Sequence, residues 1–141
     1  MAAVWFGAGA FILLVARAVF GAAKDPTIAA NVVGVMLGRW HYIALLAPLV
    51  LMAFEWPRAR TIVLSFLFGA VVMATSEALI DVRIRAIRAE SIIPISSLSA
   101  TDPIRRHFGM LHGVSSLLLI GQVLVAAVVV ALRSSAPDRE P

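Results

Sequence analysis

Cysteine is absent from this chain, which excludes disulfides, thiolate metal sites and cysteine nucleophiles. Charge is scarce too. Only 14% of the residues are charged and 61% are hydrophobic, where soluble domains run at about 25% and about 45–50%. A soluble fold could not hide that much apolar surface, so the surplus is expected to face lipid. No phosphate loop, nucleophile elbow or His-Glu-x-x-His zinc spacing occurs, so no recognised catalytic motif points to an enzyme. Acids are outnumbered: 12 Lys and Arg against 8 Asp and Glu give a net charge of +4. Most basic residues adjoin apolar runs, which suits anionic lipid headgroups and makes nucleic acid an unexpected partner.

What remains is four long apolar runs, each enough for the roughly 20 residues that cross a bilayer. They predict an all-α protein: an integral membrane four-helix up-down bundle with both termini on the same side. One transmembrane domain is expected over 1–133, with helices at about 3–23, 27–56, 58–89 and 103–132, and a polar tail over 134–141. The first run has no basic residue ahead of it and is interrupted by Arg17, so it reads as a retained helix rather than a cleaved signal. Gly7, Ala8 and Gly9 allow another helix to approach it closely. Asp25-Pro26 and Asp102-Pro103 are helix-start signals, an acidic cap followed by proline at the first helical position. Pro48 lies inside the second helix and should kink it or free a carbonyl. Trp5, Trp40, Tyr42 and Trp56 suggest an interfacial aromatic belt.

Lys24, Arg39, Arg83, Arg85, Arg88, Arg105 and Arg106 flank the 1–2 and 3–4 connections, and Arg58, Arg60, Arg133 and Arg139 the other side. Seven against four favours those connections in the cytoplasm. The same topology gathers Arg17, His41, Glu77, Asp81, Arg83, His107 and His112 toward one membrane face, and leaves almost no ionisable group in the opposite half. Ionisable residues within membrane helices mark functional sites by default.

Three readings of that cluster compete. In the first, His41 and His112 hold a cofactor between the second and fourth helices, haem b or copper. The spacing Gly38-Arg39-Trp40-His41 echoes Gly109-Met110-Leu111-His112, and a glycine one turn below a histidine clears room beside the imidazole. Depth opposes a shared iron, because His41 lies 13 residues before Phe54 and His112 lies 20 before Leu132, roughly 10 Å apart along the membrane normal. Met36, Met73 and Met110 would be the soft donors for Cu(I). In the second, Glu77 pairs with His41 or His112 to relay a proton or hold a cation. The third is structural: Arg17 pairs with Glu77 or Asp81, and the bundle serves as scaffold or subunit, alone as a homo-oligomer or with other membrane subunits.

Arg-Arg-His-Phe-Gly-Met-Leu-His-Gly-Val-Ser-Ser (105–116) resembles a known membrane family, the small four-helix proteins related to transmembrane protein 205, many of them bacterial domains of unknown function. Phe108, His112 and Ser115 carry the Phe-x-x-x-His-x-x-Ser start of the fourth helix, beside Ser116. The resemblance implies four membrane helices, an arginine late in the first and a charged end to the third. Copper-resistance D type membrane proteins and the four-helix protoporphyrinogen oxidases are similar in outline, each with histidines in membrane helices. The expected protein is thus a small multi-pass component of a bacterial inner membrane, transport-related or accessory.

Overall fold

The computed structural model describes residues 1–58 and 61–135. Among them lie four long helices: α1 (Ala2–Ala22), α2 (Pro26–Glu55), α3 (Thr61–Glu90) and α4 (Pro103–Ser134). Each is long and apolar enough to cross a membrane, so the chain is a multi-pass all-α membrane protein. The expected boundaries differ mainly at two ends. A 3₁₀ turn, Trp56–Arg58, closes α2 before α3 begins at Thr61, and α4 continues through Ser134. Residues 136–141 of the expected tail lie outside the described residues.

Both Asp-Pro signals act as the sequence suggests. Asp25 Oδ1 accepts from the Thr27 amide at 2.7 Å, and Asp102 Oδ1 accepts from the Ile104 amide at 2.8 Å. Each carboxylate satisfies an amide that has no partner within its own helix. The loop between α3 and α4 contains a short 3₁₀ turn, Ile95–Ser97.

Consecutive helices pack side by side, and α1 also packs against α4, which closes the ring. The pairs α1/α3 and α2/α4 therefore face each other across the diagonals. With four antiparallel helices, the start of α1 and the end of α4 lie at the same end of the bundle.

The inward stripe of α3 is regular. Val63, Leu67, Ala70, Ala74, Glu77 and Ile84 are buried and Asp81 is half-buried, at alternating steps of four and three. On α4 the same rhythm joins Ser115, Leu119, Gln122, Ala126 and Val129, and reaches Arg133. On α2 it joins Val33, Leu37, Trp40 and Ala44, then shifts by a residue at buried Pro48 before Leu51 and Glu55. This is the a/d seam of coiled-coil packing, and large apolar side chains elsewhere, such as Phe11, Leu46, Phe68 and Leu117, point outward. In water such faces would be a liability; in hydrocarbon they are the solvent-facing surface.

Small residues on the seam let the helices close. A Cβ on Gly9 would stand 2.8 Å from Val123 Cγ2 and 3.2 Å from Trp40 Cη2, so only glycine fits where α1 meets α4 and α2. Two belt expectations are corrected by this packing. Trp5 and Trp40 are buried in the core, because both fall on inward seams, while Tyr42 and Trp56 remain exposed.

Candidate functional site

Three polar side chains are fully buried on the seams among the described residues: Glu55, Glu77 and Gln122. Burying a carboxylate or amide without a partner is costly, and two of the three solve this together. Gln122 Nε2 on α4 donates to Glu77 Oε2 on α3 at 2.6 Å. The other carboxylate oxygen, Oε1, faces His41 Nε2 on α2 at 3.6 Å. The opposite nitrogen of the same ring, Nδ1, lies 3.8 Å from Asp81 Oδ2, and Asp81 in turn pairs with Arg85 at 3.2 Å. A polar chain thus runs Gln122, Glu77, His41, Asp81, Arg85, from a buried amide to a guanidinium that is 64% exposed.

Helical rise sets its depth. Glu77 is 16 residues into α3, His41 is 14 residues before the end of α2, and Gln122 is 12 before the end of α4. At about 1.5 Å per residue these lie roughly 24, 21 and 18 Å from one end of the bundle. That end carries Trp56 and Arg133, residue types suited to an interface. With a hydrocarbon core of about 30 Å, the chain starts inside the bilayer and climbs toward the 1–2 and 3–4 connections. The electrostatics fit that course, since each group is followed by one of opposite or neutral type. Yet the chain is not fully satisfied. His41 Nε2 and Gln122 Oε1 are buried with no hydrogen-bond partner among the described residues, and so is the nearby Trp40 Nε1.

The other expected site residues lie elsewhere. His112 is exposed; its ring stacks on Phe108 of its own helix, centroids 6.2 Å apart and planes 7° from parallel. Its carbonyl accepts from Ser116 Oγ at 2.9 Å, and Ser115 is half-buried. Arg17, Arg83 and His107 are exposed, and among the described residues no carboxylate pairs with Arg17 or Arg83. The acids that Arg17 was expected to meet are held by Gln122, His41 and Arg85 instead.

The residues present do not fit a haem or copper site shared by His41 and His112. The two histidines stand on diagonal helices, His41 turned to the α3 carboxylates and His112 outward. Among the described residues no group of three or more His, Asp or Glu is placed to hold a metal ion. Nor do the methionines help, since Met73 packs beside Gly121 and Met110 is exposed.

Gln122 and Glu55 are the residues that sequence reasoning passed over. Glu55 shows that the opposite end is not free of buried charge, for its carboxylate, 1% exposed, meets Arg133 Nη1 at 3.1 Å. The seam period was the signal that could have found both: 115, 119, 122, 126 and 44, 48, 51, 55 are each inward series.

No family model, curated protein or solved structure matches the chain.

Proposed function

We propose that this is a small transport-related or accessory protein of a bacterial inner membrane, and that the Gln122–Glu77–His41–Asp81 chain is its working part, taking up and passing a proton within the bilayer. One observation carries the reading. A carboxylate that is 1% exposed faces an imidazole whose other nitrogen faces a second, half-exposed carboxylate. Imidazole accepts a proton at one nitrogen and releases one from the other, so Glu77 and Asp81 on its two sides form a relay in which no side chain has to travel far. Intramembrane Asp, Glu and His chains are the usual material of proton paths. Gln122 keeps one oxygen of Glu77 occupied and leaves the other toward His41. The structural alternative is that the chain only pins α2, α3 and α4 together; the placement of one imidazole between two carboxylates is what favours the relay.

The test is proton flux into proteoliposomes under an imposed potassium diffusion potential, read by an entrapped pH dye. Glu77→Gln keeps the bond from Gln122 and removes the carboxyl group. Wild-type protein should conduct above protein-free vesicles, and the variant should lose most of that flux while keeping its helical circular dichroism. Equal flux in both would sink the relay and leave the accessory role.

A further inference from the structure

We propose that the protein carries a specific site for the phosphate of an anionic phospholipid, in the groove between the start of α2, the end of α3, the loop after it and the start of α4. The groove has a volume of about 540 Å³, within the range of about 300–1,000 Å³ typical of small-ligand sites. Arg88 and Arg105 line it, with Thr27, Asn31, Ser91 and Ser96 as neutral hydrogen-bonding groups and no carboxylate among its lining residues.

Both guanidinium groups are held in place without being neutralised. Arg88 lies over the Phe108 ring, 5.3 Å from its centroid, and its Nη1 stands 3.7 Å from where a Cβ on Gly34 would be. Phe108 is fixed from its other neighbour, His112, by the stacked ring pair. Arg105 donates through Nη1 to the Leu98 carbonyl and so is tied to the loop. Among the described residues neither arginine meets an acid. Two positioned, unpaired guanidinium groups beside hydroxyls and an amide suit a phosphate, which accepts paired N–H bonds from arginine.

The rim identifies the source of that phosphate. Ile92 is 101% exposed and Ile93 is half-exposed, side by side on the loop that forms one wall. The groove lies beyond Asp81 and Arg85, where the helices leave the hydrocarbon core. A soluble anion gains nothing from bare isoleucines, whereas a lipid brings acyl chains to cover them. Basic residues at this level also attract anionic headgroups.

Two variants separate the site from general basicity. Arg88→Gln with Arg105→Gln removes the charge. Gly109→Leu fills the groove from α4, where a Cβ meets nothing within 4 Å and leucine suits the helix better than glycine. A control pair, Arg83→Gln with Arg106→Gln, removes the same charge outside the groove. Native mass spectrometry of the full chain should show phosphatidylglycerol retained about tenfold over phosphatidylcholine of the same chains. That preference should fall to near unity in the double arginine variant and in Gly109→Leu, and persist in the control. Equal retention of the two lipids by wild type would overturn the proposal, as would equal loss in control and groove variants. Complete displacement of the lipid by excess inorganic phosphate would overturn the lipid as ligand.

Discussion

Gln122 and Glu77, from adjacent helices, bond at 2.6 Å with side chains 0% and 1% exposed, the one direct side-chain hydrogen bond between helices among the described buried residues. Both groups are withdrawn from the bundle surface, so losing either one leaves the other without its bonded partner. Gln122→Leu should destabilise the bundle by about 1–3 kcal/mol, because it strands a buried carboxylate oxygen. Glu77→Gln should cost less, since the amide still accepts from Gln122. Leucine at both positions should recover most of the loss. Reversible unfolding in mixed micelles measures all three, and additive losses in the double variant would show that the two residues do not act as a pair.

Arg85→Ala should cost under about 1 kcal/mol in the same assay. Arg85 pairs with Asp81 at 3.2 Å one turn along α3, but its side chain is largely in solvent, and exposed pairs at this spacing contribute little. A loss comparable to that of Gln122→Leu would mean that the outer end of the polar chain is buried in the membrane.

Gly9→Ala should destabilise by about 1–3 kcal/mol, and Gly7→Ala should be neutral or slightly stabilising. The added methyl at Gly9 comes within 2.8 Å of a branched valine and 3.2 Å of a buried tryptophan, so one of them must shift, whereas at Gly7 it meets nothing within 4 Å. Two glycines two residues apart thus serve as test and control. Comparable thermal midpoints for both variants would contradict the closeness of α1 to α4 and α2.

Most of the fold was legible because it rests on local rules. Four apolar runs require four helices, Asp25-Pro26 and Asp102-Pro103 mark two starts, and short connections force antiparallel neighbours. The site was legible in part. Glu77, His41 and Asp81 stood out as ionisable residues in apolar helices, and grouping them at one end needed only topology. Which histidine serves Glu77 was not legible, since that depends on rotation about each helix axis. His41 follows the seam residue Trp40 and turns to α3, whereas His112 keeps the α4 rhythm, three residues before Ser115, yet is exposed and stacks on Phe108. The repeated Gly-x-x-His spacing therefore marks similar sequence in dissimilar places. Gln122 was not singled out, although its seam position turns it toward α3, where it bonds Glu77.

The two histidines should separate cleanly by spectroscopy. In infrared difference spectra, the carboxyl bands that Glu77→Gln removes report on the group facing His41 Nε2 at 3.6 Å. Replacing His41 by phenylalanine fills the same volume but removes both nitrogens, so those bands should shift as the carboxylate loses its partner. His112→Phe should leave them in place, because that ring is exposed and contacts Phe108 instead. The same pair should divide the lipid assay in the opposite sense. His41→Phe should leave phosphatidylglycerol retention unchanged, whereas His112→Ala should lower it modestly by freeing Phe108, and with it Arg88. A His112 variant that moved the Glu77 bands as far as His41→Phe would contradict the separation of the two sites and reopen a shared role for both imidazoles.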